Sequence, residues 1–232
     1  MNMLISTTPL TVYEHMALDE YLVSVRPQAV TLRFYHWTPG PAVTFGYAQG
    51  IREVEQALAT ASFAGAYTRR PTGGGLVFHT DDLTFSLIFP SHDKPAAIYR
   101  QLHAAIFAAL KTAGVGGQLF QDVLPASAYA PSVNQQASAC FVRPVENDLL
   151  AQDGQKMLGG AIRRFGATVL YQGSLQLPGA RLNPAFKRSI IEAVRQFLVV
   201  DLRAQACSPE GLQRARQLAQ HQYESLAWRE KF

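Results

Sequence analysis

The fold of this chain depends on an eleven-residue stretch, which reads Arg69-Arg70-Pro71-Thr72-Gly73-Gly74-Gly75-Leu76-Val77-Phe78-His79. Glycine loses more backbone entropy on folding than any other residue, so three in a row are costly inside a strand. A strand retains them where it bends or where another molecule approaches its main chain closely. The two arginines add fixed positive charge that suits a carboxylate or a phosphate. The stretch therefore indicates either a ligand cradle or a glycine-rich hairpin loop beside two solvated arginines.

The composition is that of an ordinary folded protein, with 232 residues of which 48% are hydrophobic and 16% charged. The formal net charge of +4 favours an acidic partner, but the basic residues are scattered, which argues against nucleic acid. No apolar run reaches the roughly 18 residues that would span a membrane, and the first residues lack the pattern of a secretory signal. We therefore expect a cytoplasmic protein without membrane contact, in which Cys140 and Cys207 are reduced thiols.

Hydrophobic periodicity predicts the elements on either side of the glycines. Residues 11–25 and 51–60 have helical spacing, whereas residues 30–35 alternate as a strand and residues 42–47 form its return strand. A polar turn follows the central stretch, and residues 83–89 then alternate with period two. We therefore predict a hairpin whose first arm is the central stretch itself.

The rest of the chain is predicted to add a second hairpin, turned at Asp153-Gly154, and more helices. The predicted elements are a helix at 95–113, a loop at 116–138, strands at 146–152, 155–158 and 169–177, a helix from 183 to about 198 and another from 208. Strands clustered in hairpins, with helices at their periphery, indicate the α+β class with a largely antiparallel sheet flanked by helices. We find no boundary between two cores, so we expect a single domain over residues 1–232.

Cys140 is the first candidate for chemistry. It lies where the predicted loop meets the next strand, and a thiolate is the strongest side-chain nucleophile near neutral pH. A lone cysteine is also commonly a small buried hydrophobe. Both interpretations of Cys140 stay open on the sequence alone.

Lys156 and His79 are the other candidates. Alternation along the predicted strand puts Lys156 on the same face as Leu158, so its ammonium either reaches a cleft or is solvated beside the hairpin tip. His79 is either a general base or a structural histidine. Asp81 and Asp82 beside it have no specific metal-ligand spacing, so we predict no metal site.

Several of these pieces together resemble one family. Residues 69–79, with 148–150 and 153–161 downstream, are similar to the lipoate/biotin protein ligase and octanoyltransferase superfamily, and residues 16–20 and 32–35 match its opening. The pairing of Arg-Arg…Gly-Gly…His with Gly-x-Lys-x-x-Gly-x-Ala is specific, and the likeness covers nearly the whole chain. The resemblance implies the catalytic-domain fold of that superfamily, with a tunnel for a medium-length acyl chain.

The resemblance also implies roles for particular residues. Lys156 would hold the acyl carbonyl or a donor phosphate and help to deprotonate the attacking amine, and Arg70 would steer the polar end of the donor. The remaining substrate-binding residues would line the acyl tunnel or border it, and they are Gly73, Gly74, Gly75, Val77, His79, Gly159 and Ala161.

The family divides into two mechanisms. Some octanoyltransferases take the acyl group from acyl carrier protein onto a cysteine and need no cofactor. Cys140, with Pro144 soon after it, resembles the cysteine of this group. Lipoate ligases instead use ATP and Mg to activate free lipoate or octanoate, and this chain lacks their usual His-Asp-x-Gly-Asn at residues 79–83. In both cases the acceptor is a lysine on a lipoyl domain of 2-oxoacid dehydrogenase or glycine cleavage proteins. A protein that binds an acyl group or a lipoyl domain without catalysis is the third possibility.

Overall fold

The computed structural model describes residues 2–121 and 144–232, which form two sheets flanked by helices. Cys140 and most of the predicted loop at 116–138 lie outside the described residues. The larger sheet has eight strands in the order β11-β1-β2-β6-β10-β9-β8-β7. Its strands are β1 (Met3–Ser6), β2 (Thr31–Phe34), β6 (Leu83–Pro90), β7 (Gln118–Leu119), β8 (Leu149–Leu150), β9 (Lys156–Phe165), β10 (Thr168–Leu175) and β11 (Arg203–Ala206).

The smaller sheet has three strands in the order β4-β3-β5, and it carries the central stretch. Its strands are β3 (Ala42–Phe45), β4 (Ala66–Arg69) and β5 (Val77–His79). Strand β3 pairs parallel with β4 and antiparallel with β5. In the larger sheet, β1 pairs parallel with both β2 and β11, and the other ladders are antiparallel. The described sheets are therefore largely antiparallel, as predicted.

Six α-helices are described. They are α1 (Val12–Val25), α2 (Ile51–Thr60), α3 (Pro95–Thr112), α4 (Pro184–Leu198), α5 (Pro209–Leu218) and α6 (Leu226–Arg229). Helix α1 begins at a capping box, in which Thr11 accepts from the Glu14 main chain and Glu14 accepts from the Thr11 main chain. Proline at the first turn of α3, α4 and α5 removes a donor that would have no helical partner. Helix α3 packs on α4, and α1 packs on α5.

The main core lies between the larger sheet and helices α3 and α4. Phe85 and Leu87 on β6 and Tyr171 on β10 are fully buried against Leu102 and Ile106 of α3. Removing the Phe85 ring would cost about 3–5 kcal/mol of the free energy of unfolding, since a buried cavity would remain. This core fixes β6, β9 and β10, which carry one wall of the site described below.

Both predicted hairpins around the central stretch are wrong. Strands β2 and β6 belong to the larger sheet, whereas β3 and β5 belong to the smaller one, so the chain crosses between sheets at each connection. The physical reason is that β6 is buried on both faces and pairs with β2 and β10 along its two edges. Period-two alternation predicts a strand but does not identify its partners. Strands β1 and β11 were not predicted, and all four residues of β11 are exposed.

No helix in residues 2–121 and 144–232 has both the length and the apolar character needed to cross a membrane.

Candidate functional site

A cavity of about 380 Å³, including its open mouth, lies between residues contributed by the two sheets. Strands β3 and β5 of the smaller sheet form one side, and β6, β9 and β10 of the larger sheet form the other, with α1 contributing one residue. The lining residues are Met16, Tyr35, Thr44, Arg70, Val77, His79, Thr84, Gly159, Gly160, Ala161, Gln172, Gly173 and Ser174. The central stretch and the Gly159–Ala161 segment, far apart in sequence, therefore meet at one cavity.

Lys156 lies beside this cavity in a buried ion pair. Its Nζ atom is 2.8 Å from Oδ2 of Asp148, and the two side chains are 3% and 0% exposed. Asp148 precedes β8 directly, and a register irregularity between Leu149 and Leu150 interrupts the β8–β9 ladder beside the lysine. Because a buried charge is costly unless it is paired, this carboxylate holds the lysine side chain in one place.

Glycine at position 159 is what brings the ammonium to the cavity wall. A Cβ atom on Gly159 would lie 2.6 Å from Nζ of Lys156, closer than such atoms approach in proteins. The lysine therefore occupies the space that any other residue at 159 would fill with its own side chain. Gly159 lines the cavity, whereas Lys156 itself is not among the lining residues, so the ammonium borders the cavity wall at Gly159.

Asp148 is in turn oriented by two donors. Tyr99 of α3 donates its hydroxyl to Oδ1 of Asp148 at 2.5 Å, and the main-chain N–H of Val145 donates to Oδ2 at 2.6 Å. The Tyr99 oxygen also accepts from the main-chain N–H of Gly160 at 3.0 Å. Burial, and next the Asp148 charge, raise the pKa of Tyr99 well above its usual value, so it stays a donor. The carboxylate, the tyrosine and the glycine strand thus form one connected unit.

His103 of α3 supports the same unit from the core side. Its two ring nitrogens bond the carbonyl oxygen of Asn147 and the hydroxyl of Tyr171, each at 2.8 Å. Burial lowers the pKa of His103 to about 3, with the Lys156 charge contributing, so the ring is neutral at physiological pH. The Tyr171 hydroxyl also occupies the space that a side chain on Gly160 would need.

His79 is buried in the cavity wall and bonds on both sides. Nδ1 lies 2.9 Å from Oδ2 of Asp82, and Nε2 lies 2.9 Å from the Thr44 hydroxyl. Asp82 also accepts from Thr84 and Ser174 at 2.6 Å each. Burial alone would raise the pKa of Asp82, but the charge and hydrogen bond of His79 and these two hydroxyls outweigh it, so the pKa is lowered. The predicted alternatives for His79, general base or structural residue, both stay open.

The three glycines form a loop rather than a strand. Gly74 has a φ of 88°, which favours glycine, and its main chain packs directly on Gly46, where a Cβ would collide with the Gly74 carbonyl. None of Gly73, Gly74 and Gly75 is among the residues that line the cavity, whereas Arg70 and Val77 on either side of them are. Their predicted part in substrate binding stays a prediction.

The two arginines before the glycines bind main-chain carbonyls. Arg70 donates to the carbonyl oxygens of Gly73, of Gly75 at 2.8 Å and of Thr44 at 3.3 Å, so it shapes the loop from inside. Arg69 is fully buried, which corrects the expectation that both arginines offer their positive charge to a ligand or to solvent. Its guanidinium donates to five carbonyl oxygens, which belong to Gly46, Tyr47, Gln49, Trp228 and Arg229.

A buried polar network that the sequence analysis missed closes another side of the cavity. Arg33 and Asp19 form an ion pair at 2.5 Å with both side chains 0% exposed, and Tyr35 donates its hydroxyl to the same carboxylate. Gln172 donates to Asp19 at 2.8 Å and accepts from the Thr72 hydroxyl at 2.6 Å. The network therefore joins α1, β2 and β10 to the start of the glycine loop. Asp19 and Arg33 lie in the motifs that carried the family resemblance, but their pairing needed the fold.

The predicted site residues thus fall into three groups. Arg70, Val77, His79, Gly159 and Ala161 line the cavity, and Lys156 reaches its wall through Gly159. The three loop glycines lie next to it without lining it, and Cys140 is outside the described residues. Asp148, Tyr99 and His103 were not predicted as site residues. Among the residues described, no three His, Cys, Asp or Glu side chains are grouped so as to hold a metal ion.

Comparison with solved structures defines the class of fold. The chain is similar to a lipoate-protein ligase A solved bound with ATP, at a TM-score of 0.76 and 19% identity over 99% of this chain and 98% of that one. It is also similar to a bi-partite lipoate protein ligase from Thermoplasma acidophilum, at a TM-score of 0.73 and 19% identity over 99% and 95% of the two chains. The two sheets and their flanking helices are therefore those of a lipoate-ligase catalytic fold.

Sequence comparison identifies the family. Residues 11–216 match the model of the lipoyl protein ligase A/B catalytic domain, and the chain belongs to that family. A relative named octanoyltransferase LipM from Moorella thermoacetica is 31% identical over 209 residues, covering 85% of this chain and 73% of the relative. Another of that name from Symbiobacterium thermophilum is 34% identical over 172 residues, covering 71% of this chain and 61% of the relative.

Proposed function

We propose that this protein is an acyltransferase that moves an octanoyl or lipoyl group onto a specific lysine of a lipoyl domain. The donor is acyl carrier protein, and the acyl group passes through a thioester on Cys140. The observation that carries the proposal is the buried Lys156–Asp148 pair, 2.8 Å apart, held against the glycine wall of the cavity between the two sheets. The relatives named octanoyltransferase support the same reaction.

The first transfer exchanges one thioester for another. The Cys140 thiolate attacks the octanoyl carbonyl, a new C–S bond forms, and the C–S bond to the carrier breaks. The carrier leaves as a thiolate that takes up a proton. Negative charge develops on the carbonyl oxygen during the attack, and an ammonium fixed close to that oxygen stabilises it. Lys156 is suited to this role because Asp148 and Tyr99 hold its position before substrate arrives.

The second transfer releases the acyl group as an amide. The neutral amine of the target lysine attacks the Cys140 thioester, the C–N bond forms and the C–S bond breaks. Cys140 leaves as a thiolate, and the proton lost by the nitrogen restores its thiol. The conversion of a thioester to an amide lowers the free energy, so the reaction needs no nucleotide. The cavity holds the acyl chain while the acceptor is exchanged for the donor, which supplies most of the acceleration through proximity.

An ATP-dependent lipoate ligase is the second candidate, and two observations favour it. The fold matches that of a ligase solved with ATP, and a buried lysine against a cavity wall suits an acyl-adenylate phosphate as well as a thioester carbonyl. In that reaction Mg and ATP supply the activation of the free acid, and Cys140 has no covalent role. The same Lys156–Asp148 pair would then face the phosphate of the adenylate.

The two candidates are separated by one mass measurement. The purified chain is incubated with octanoyl acyl carrier protein and no nucleotide. The masses of the intact protein and of its proteolytic peptides are then measured by mass spectrometry. The transferase predicts an octanoyl adduct on Cys140 that disappears when a lipoyl domain is added, and a Cys140→Ser variant that forms no adduct. Transfer that instead requires lipoate, ATP and Mg and survives in Cys140→Ser would identify the ligase. Ligand binding without turnover in either assay, unchanged in Lys156→Ala, would identify a binding protein.

The partners follow from the proposed reaction. The acceptor is a lipoyl domain of a 2-oxoacid dehydrogenase or of the glycine cleavage system, and the reaction takes place in the cytoplasm, where acyl carrier protein is present. One similar solved structure is described as a lipoate protein ligase together with its E2 lipoyl domain, which supports an acceptor of this kind. A pulldown with immobilised lipoyl domains of each type, followed by the transfer assay, tests the choice between them.

A further inference from the structure

Two cations share one aromatic ring outside the cavity. The guanidinium carbon of Arg163 lies 4.2 Å from the centre of the Tyr47 ring, and Nζ of Lys231 lies 4.8 Å from it. Nζ of Lys231 also donates to the Tyr47 hydroxyl at 2.7 Å. Within residues 2–121 and 144–232, neither cation is within ion-pair distance of a carboxylate. Two neighbouring positive charges that no carboxylate of the described residues neutralises favour an anion supplied by another molecule.

These cations lie next to the reaction site. Arg163 is four residues beyond Gly159 on β9, about 13 Å along the strand, and alternation puts it on the same face as Gly159 and Ala161. Its guanidinium donates to the carbonyl oxygen of Pro71 at 2.9 Å. The main-chain N–H of Tyr47 donates to the carbonyl oxygen of Thr72, the residue after Pro71, at 2.8 Å. The cations therefore border the glycine loop that runs beside the cavity.

Aromatic side chains complete this surface. Nζ of Lys231 lies 4.8 Å from the centre of the Trp228 ring, and the neighbouring Phe232 is 56% exposed. Tyrosine, tryptophan and arginine are the residue types enriched where proteins bind each other, and an exposed phenylalanine adds an apolar anchor. A small phosphate would need the cations but not the anchor. The combination therefore favours a protein with an acidic surface.

The geometry points to a docking surface, made of Tyr47, Arg163, Trp228, Lys231 and Phe232, that binds an acidic face of the protein presenting the target lysine. This inference rests on the proposed function, because that function supplies the acceptor. Docking here leaves the acceptor about four strand residues from Gly159, so the bulk of its domain stays outside the cavity while one side chain enters.

The test reverses the most exposed charge of the docking surface. Lys231→Glu is compared with Arg188→Glu, which makes the same charge change at an exposed position on α4 that does not line the cavity. Transfer is measured to a purified acidic lipoyl domain and to a short lysine peptide with neutral flanking residues. We expect Lys231→Glu to raise the KM for the domain about tenfold at low salt with kcat within twofold, since a charge at an interface rim acts on association.

Further outcomes of the same assays decide whether the docking surface exists. We expect the peptide KM to be unchanged in Lys231→Glu, and the difference between the variant and wild type to vanish at about 1 M salt, where charges are screened within about 3 Å. The docking surface would be overturned if Lys231→Glu left the KM for the domain unchanged, or if it raised the KM for the domain and for the peptide equally. If wild type transfers nothing, the proposed function fails instead. Calorimetric binding of the lipoyl domain to wild type, Lys231→Glu and Arg188→Glu then decides the docking surface by itself.

Discussion

The Nζ atom of Lys156 lies 2.8 Å from the Asp148 carboxylate, and both side chains are buried. The chain thereby places a fixed positive charge beside Gly159 without exposing it to water. Removing either partner alone leaves the other as a buried charge without its counter-ion. The pair should therefore behave as a unit in both stability and activity.

The first prediction concerns this coupling. Asp148→Asn and Lys156→Met should each lower the free energy of unfolding by about 3–5 kcal/mol, because each removes one charge of the buried pair and leaves the other charge without its partner. The double variant should lose less than the sum of the two, since it removes both charges together. Urea unfolding of the four proteins measures the interaction. Additive losses within about 0.5 kcal/mol would contradict the coupling.

The second prediction concerns the glycine beneath the lysine. In Gly159→Ala the new methyl group takes the place of the Lys156 ammonium, which must swing away on its flexible side chain. We expect transfer to fall about 100-fold, since a 1 Å misplacement of a catalytic group can cost that much. The unfolding free energy should also fall, because the displaced ammonium leaves the buried Asp148 carboxylate without its partner. Gly50→Ala is the matched control, because a Cβ there meets its nearest neighbour at 4.0 Å. Equal activity in both variants would argue against Lys156 as the group that stabilises the carbonyl.

The third prediction concerns His103 and pH. Its pKa is about 3 in the folded protein and about 6.5 in the unfolded chain, so the unfolded state binds the proton more readily. The contribution of His103 to stability is therefore full above pH 6.5 and falls by about 1.4 kcal/mol per pH unit as pH drops from 6.5 toward 3.

His103→Gln should flatten the pH dependence of unfolding in that window, while lowering stability at pH 7 through its lost hydrogen bonds. His221→Gln, a change at an exposed histidine, is the control. Denaturant midpoints measured from pH 7 down to pH 4 compare the slopes. If the denaturant midpoints of wild type and His103→Gln fall in parallel between pH 7 and pH 4, a group other than His103 causes the loss of stability in that range.

The fourth prediction concerns the carbonyls bound by Arg69. Lysine at this position keeps the charge but lacks the planar fork that reaches five carbonyl oxygens at once. Arg69→Lys should cost about 3 kcal/mol of unfolding free energy, because buried carbonyls lose charged donors. Arg52→Lys, at an exposed position, should change stability by less than about 0.5 kcal/mol. A similarly small effect in Arg69→Lys would mean that the carbonyls do not depend on the guanidinium.

Local patterns were enough to locate most elements, and the family resemblance added five of the thirteen residues that line the cavity. Residues 51–60 were predicted as a helix with the bounds observed, and the capping box at Thr11 and the Asp153-Gly154 turn are short-range features that the sequence encodes directly. Arg70 and His79 were identified through motifs whose spacing is local. Each of these depends on neighbours within a few residues, so the sequence carries the information.

The sequence by itself determined that the chain has an antiparallel-rich α+β fold, that Lys156 lies in a Gly-x-Lys-x-x-Gly-x-Ala motif, and which family it resembles. Only the tertiary structure decided that β5 and β6 lie in different sheets, that Arg69 is buried among carbonyls, and that Asp148, Tyr99 and His103 hold the lysine in place. The reason is physical: periodicity specifies which face of a strand is apolar. It does not specify which distant segments pair in one β-ladder or which side chains form a buried ion pair, because those pairings depend on how the whole core packs.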